Sequence, residues 1–404
     1  MRTPLSLVLL VALLLPTLPL YVGLASSMAL GASAAAVFAI GVAWWKVRSN
    51  RQVSTRFSPG VVASFAVLAV AAHGLVLALQ DGPFDVTRAG ASIAPLMLML
   101  LGGSAIARLF TAASTSEVDR ALRAAFGVLC IVGIVGVLGI APPAALPRGK
   151  PVFPFTEPSH FALVFVPLLM YRCVTATGRH RFLYLLGGVA IALLFQNLTL
   201  AVGCVLIAAI SLRPYVLLGS IALFALAVSQ IDLTYYAERL DLSGESQNLS
   251  NLVYLQGWQL INESLSNSQG WGLGFQQLGV HGTSVGAAYL IQALLGEPSN
   301  LLDGGFTVAK LLSEFGIFGA VLLVTYVVVA ARSVLALRRR VGGPAVTFAH
   351  CTIVGYSLDL FVRGAGYFSA GALLMISASW LLATTGRRLR LRAHVLANAA
   401  PMVH

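Results

Sequence analysis

Long apolar runs alternate with short polar or basic breaks along almost the whole chain. The runs lie near residues 5–24, 26–45, 60–80, 89–109, 122–141, 160–176, 182–196, 199–212, 215–231, 315–333, 344–362 and 367–385. Most are about 20 residues long, enough for an α-helix to cross a hydrocarbon core of roughly 30 Å. The pattern predicts an all-α polytopic integral membrane protein with about 12 transmembrane helices. The first run is long and lacks a small-residue cleavage site before the second, so it reads as a retained span rather than a signal peptide. The slightest break is at Asn197; without it, 182–212 would be one long run.

Two stretches interrupt the pattern. Residues 142–160 are proline-rich, which forbids a helix and stiffens the approach to the next span. Residues 232–314 form the longest polar segment, lying between nine predicted spans in 1–231 and three in 315–404, the last followed by a basic tail. Inside it, Leu249, Leu252, Val253, Leu260 and Ile261 recur at nearly helical spacing, predicting an amphipathic helix over the membrane face. The glycine-rich GWGLGF of residues 270–275 predicts a turn, and 303–315 predicts a short helix leading into the next span.

Composition agrees with the runs. Hydrophobic residues make up 58% of the 404 and charged residues 10%, against about a quarter charged in soluble domains. A net charge of +12 would suggest nucleic acid for a soluble protein. Here the excess is topological. With both termini inside, 20 of the 26 Lys and Arg but only two of the 14 acids face the cytoplasm, leaving +18 inside and −6 outside, as the positive-inside rule requires. Reading 182–212 as one span would turn the final basic cluster outward. The basic runs at 338–340 and 387–392 therefore read as anchors to anionic lipid, and no nucleic-acid partner is expected.

Candidate chemistry concentrates outside. Only Arg88, Arg148, Lys150, Arg239, Lys310 and Arg363 remain as outward cations, and an anionic, membrane-held substrate would need such groups, since Arg meets phosphate oxygens bidentately. Each also has a structural reading. Arg363 stands four residues after Asp359 and Lys310 four before Glu314, so either can form a pair on a helix face; Arg88 can snorkel from the start of a span; Arg239 lies among acids. Glu157, in FTEPSH at the start of a span, reads as a helix cap or as a general base whose pKa partial burial would raise. His160 and His281 can accept a proton near neutral pH; His73 and His350, inside spans, read as packing groups. Cys130, Cys173, Cys204 and Cys351 lie in apolar runs without metal-ligand spacing. Phosphate-loop, hydrolase-elbow and zinc-protease motifs are absent, and neither cofactor nor metal is expected.

Three segments resemble one family. FTEPS at 155–159, Gly257-Trp258 followed by GWGLGF at 270–275, and KLLSEFGIFG at 310–319, with one large external loop before the last three spans, are similar to the O-antigen polymerases (Wzy-type) of the O-antigen ligase and polymerase superfamily. The resemblance implies a GT-C-like glycosyltransferase of the bacterial inner membrane. It would move a growing glycan from undecaprenyl pyrophosphate onto a new lipid-linked repeat unit, with membrane lipids and a chain-length regulator as partners. It implies pyrophosphate-binding arginines, for which Arg88, Arg148, Arg239 and Arg363 qualify. Beside them, Glu157 or His281 would assist the acceptor hydroxyl, and Tyr254, Trp258, Trp271, Asp303 and Glu314 would grip sugar rings. Two departures matter. The basic residue expected before Gly257-Trp258 is absent, with Asn251 and Tyr254 in that neighbourhood. Gly305 and Phe306 stand where O-antigen ligases carry a His-Asn-like pair, which favours polymerase over a ligase acting on lipid A-core. A flippase or secondary transporter is the alternative from another class; its ionisable groups would be expected mid-membrane, whereas these spans are nearly charge-free.

Overall fold

The computed structural model describes residues 4–48, 58–79, 84–140, 142, 152–212, 248–280, 282–297, 299–340 and 342–399. Among these the chain is helical without strands, apart from one isolated bridge between Val152 and Phe155. The predicted span 215–231 and the loop to residue 247 lie outside the described residues.

Most apolar runs become helices. They are α1 (Pro4–Leu14) with the short α2 (Leu18–Tyr21), α3 (Ala29–Arg48), α4 (Pro59–Ala78), α5 (Val86–Ala112), α6 (Thr115–Val137), α7 (Pro158–Thr175), α8 (Arg179–Leu194) and α9 (Leu198–Ser211). The first run splits because Pro16 and Pro19 lack the amide donors a continuous helix needs. Helix α6 starts at a capping box in which Ser114 and Glu117 satisfy each other's backbone amides. Asn197 caps α9 through the Leu200 amide at 2.9 Å. This cap ends the ambiguity over 182–212: Arg181 reaches Ser211, Gly188 lies against Cys204, and the Asn197 amide closes on the Ala192 carbonyl. Helices α8 and α9 are thus an antiparallel hairpin.

After the undescribed stretch come α10 (Leu249–Asn267), α11 (Gly286–Leu295), α12 (Thr307–Arg339), α13 (Pro344–Gly355), α14 (Ser357–Phe361) and α15 (Ala370–Ala399). Helix α10 is the amphipathic helix expected in the polar loop. Helix α11 was not anticipated, because its apolar run is short and sits in a polar setting. Helix α12 kinks at Gly316, whose φ of 52° and ψ of −127° lie where side chains with a Cβ are strained. The kink separates residues 307–315 from the membrane portion, matching the predicted short helix. The expected span 344–362 is divided between α13 and α14.

Six described helices, α3 to α7 and α12, are long and apolar enough to cross a membrane. Their environment fits that reading. Helices α4 and α12 expose rows of large apolar side chains, among them Val61, Phe65, Leu68 and Val76, and Val321, Leu322, Val324 and Val328, a surface suited to lipid rather than water. Helix α7 is the opposite case: every residue from Phe161 to Tyr171 is buried. A helix apolar on all sides belongs in the centre, and α6, α8, α9 and α13 pack around it. Close approach of backbones helps, as lipid offers helices no hydrophobic drive to associate: a Cβ on Gly102 of α5 would fall 2.5 Å from that of Ala36 in α3.

Candidate active site at the head of the central helix

The central helix positions the first group. Its N-cap is Glu157, extended at φ −142°, with Pro158 opening the helix. The carboxylate does not cap α7. It receives Arg363 instead, whose Nη2 donates to Oε1 at 3.1 Å and Oε2 at 3.0 Å, while the Ser159 hydroxyl donates to Oε2 at 2.8 Å. The sequence-based pairing of Arg363 with Asp359 is therefore corrected. Helix α14 ends at Phe361, so the one-turn spacing that would face the two residues together is lost. Asp359 is buried and accepts from the Thr307 hydroxyl and, at 3.4 Å, from the Ala365 amide.

The electrostatics reverse a second expectation. Burial on its own would push the Glu157 carboxyl up, but the Arg363 guanidinium, His160 and the Ser159 hydroxyl outweigh it and hold the group down at about 2. A carboxylate so placed is a weak base while Arg363 stays beside it. His160, half-buried on the first turn of α7, sets Nδ1 2.9 Å from the Thr156 hydroxyl.

Lys310 and Glu314 form the second cluster. Lys310 is buried, with Nζ 2.6 Å from the Leu302 carbonyl, 3.0 Å from Asp303, 3.4 Å from Gln276 and 3.9 Å from Glu314. Its ammonium also lies 5.4 Å from the Tyr367 ring centre. The pair with Glu314 exists, but Asp303 is the nearer partner. Glu314 is fully buried and accepts from the Leu278 amide at 3.4 Å. Neither side chain meets solvent, so their direct work is to staple residues 276–278, which follow the GWGLGF turn, and residues 302–303 to α12. The staple continues through backbone bonds from Leu273 to Ser313, Gly274 to Glu314 and Ile317 to Gly270, at 2.8 to 3.0 Å. Asp303, by contrast, is exposed.

The two clusters adjoin. The Gly364 amide donates to the Gly305 carbonyl at 2.9 Å, and Gly366 lies against the Asp303 carboxylate. Next to them, Phe306 packs on Tyr254 and Trp258 with ring centres 4.8 and 5.3 Å apart. Trp258 remains 45% exposed and Trp271 50%. Trp271 is steadied by Phe318 and by His73, whose Nε2 is 3.1 Å from its carbonyl oxygen; His73 also stacks on Phe315. His350, on α13, pairs with Ser333, so both histidines make packing contacts between helices. Arg88, on the first turn of α5, is half-buried and makes no side-chain ion pair with a described residue. Its helix is tied to the same loop by two bonds between Asp85 and Gln277, at 2.7 and 3.1 Å.

The head of α7 thus gathers Glu157, His160, Arg363, Asp303, Lys310, Glu314, Tyr254 and Trp258. Arg148, Lys150, Arg239 and His281 lie outside the described residues. Sequence reasoning read Asp359 only as a partner for Arg363 and missed Thr307, Gln276 and Gln277; a carboxylate within an apolar run was the one available signal, at Asp359. Among the described residues no three His, Cys, Asp or Glu side chains are placed to hold a metal ion.

Fold and site together define a helical membrane protein with a polar, aromatic-edged cluster where its central helix begins. Comparison with protein-family models, with curated proteins and with solved structures finds no match.

Proposed function

We propose that this protein is a membrane glycosyltransferase that polymerises lipid-linked repeat units, taking the growing glycan from a polyprenyl pyrophosphate. The observation that carries the reading is the Glu157–Arg363 pair, 35% and 21% exposed, in a cluster with the half-exposed Trp258 ring and the exposed Asp303 carboxylate. Such a reaction needs a cation for the leaving pyrophosphate, apolar ring faces for sugars and a carboxylate for the acceptor hydroxyl. In this reading the chain crosses the bacterial inner membrane twelve times in a GT-C-like arrangement, both termini are cytoplasmic, and a chain-length regulator is a partner.

The pair suggests how these parts work in sequence. An arriving pyrophosphate offers Arg363 a more highly charged partner than Glu157. Once the guanidinium turns to phosphate, burial dominates at Glu157 and its affinity for a proton rises. The acceptor oxygen then attacks the anomeric carbon as the carbon–oxygen bond to pyrophosphate breaks. The bonding electrons leave with the pyrophosphate, stabilised by Arg363, and the acceptor's proton passes to Glu157.

Surface polysaccharide from a null strain complemented with Arg363→Ala or Glu157→Gln tests the reading. Loss of at least about tenfold in long-chain product, with a single repeat unit still on the core, is expected for removal of a charge-stabilising group. A normal ladder from both variants would sink the assignment, and a core bearing no repeat unit would mark a ligase.

A further inference from the structure

At the other end of α7 the C-terminal ends of α7, α9 and α12 meet around a cavity of about 280 Å³. Arg181, Arg338 and Arg340 line it beside Val174, Ile210 and Leu212. Helix C-termini leave carbonyls without intrahelical donors, and two of the arginines answer that need. Arg181 donates to Ser211 at 2.5 Å and to Ala176 at 3.0 Å, and Arg338 to Ala209 at 2.9 Å.

Capping does not account for the whole arrangement. A guanidinium carries five N–H donors, and these carbonyls use two from Arg181 and one from Arg338. The Arg181 Nε is shielded from solvent without a partner. The Arg340 side chain makes no hydrogen bond or ion pair with a described residue, yet stands close enough to Arg181 to repel it. No carboxylate occurs among the described lining residues. Three cations therefore converge with spare donors, and an anion would relieve their repulsion. The surroundings point to its source: Leu335, one turn before Arg338, and Val205 on α9 are exposed apolar side chains, so lipid-facing surface begins beside the pocket.

We propose that this pocket binds the phosphate of an anionic phospholipid, the guanidinium groups holding the headgroup while the acyl chains run along α9 and α12. The site depends on the protein being a helical membrane protein and not on the glycosyltransferase reading. Arginine suits it because its planar fork meets two phosphate oxygens at once. A lipid that binds only the folded state raises the unfolding midpoint as its concentration rises.

The test uses the full chain, delipidated in neutral detergent, with thermal unfolding and native mass spectrometry as readouts. Phosphatidylglycerol should raise the midpoint and leave a retained adduct; phosphatidylcholine should do neither. Arg340→Gln, which breaks no side-chain hydrogen bond to a described residue, should weaken lipid binding roughly tenfold, and Arg338→Gln should act in the same direction. Arg332→Gln, exposed on α12 outside the pocket, should keep the full response. An equal response from wild type and both pocket variants, or an equal loss in Arg332→Gln, would overturn the site. A midpoint rise of the same size with inorganic phosphate at equal concentration would overturn the lipid as its ligand.

Discussion

Glu157 and Arg363 stand 206 positions apart, and their contact is what turns two ordinary residues into a candidate site. Four residues from Arg363, Asp359 offers a nearer partner on paper, but the helix that would align them stops at Phe361. The pair also has a pH dependence with a definite sign. The folded Glu157 carboxyl lies at about 2, below its ordinary 4.5, so the contribution is present above 4.5 and lost as pH falls toward 2. Both partners are partly solvated, and screening limits the effect to about 1 kcal/mol or less. Unfolding midpoints measured from pH 6 down to pH 3 should fall more steeply in the wild type than in Glu157→Gln. Parallel curves would show that the pair adds nothing to folding.

Among the elements, α7 and α12 carry the site and for different reasons. Helix α7 is buried from Phe161 to Tyr171, and that packed stem fixes the half-buried first turn on which Glu157 and His160 stand. Helix α12 contributes through its kink. At Gly316 a Cβ would fall 2.0 Å from the Gly270 carbonyl oxygen, at a φ that non-glycine residues avoid. Gly316→Ala should therefore cost at least about 1–3 kcal/mol from the backbone conformation alone, with the clash added. It should also detach the GWGLGF turn that presents Trp271. The measurable results are a lower unfolding midpoint and new protease sensitivity between residues 268 and 280. An unchanged midpoint would mean the kink is not under that constraint. The junction at 315 was legible in the sequence but the positive φ was not, because a short helix leading into a span needs no kink by itself; only the turn packed against Gly316 demands it.

At the scale of the whole molecule, the described residues form an apolar surface between two polar ends, with most acids at the loop end and most arginines, together with Glu117 and Asp119, at the other. The orientation proposed above, from the positive-inside rule, has the arginine end in the cytoplasm. Single cysteines in a background lacking Cys130, Cys173, Cys204 and Cys351 test this with a membrane-impermeant maleimide on intact cells. Ser266→Cys, exposed at the end of α10, should label at once, and Gly343→Cys, before α13, only after permeabilisation. The reverse pattern would invert the orientation. The sequence by itself determined the class: residues this apolar, in runs of this length, have no soluble fold that could bury them, and the paired-helix reading of 182–212 followed from charge bias alone. Which polar groups meet was decided only by tertiary structure. Lys310 and Glu314 show why, since their one-turn spacing was legible, yet burial behind the GWGLGF turn makes them a staple with Asp303 as the closer partner. Periodicity reports which face of a helix is apolar; it holds no information on which distant segment will cover that face, and a contact such as Glu157 with Arg363 exists only once the helices between them have packed.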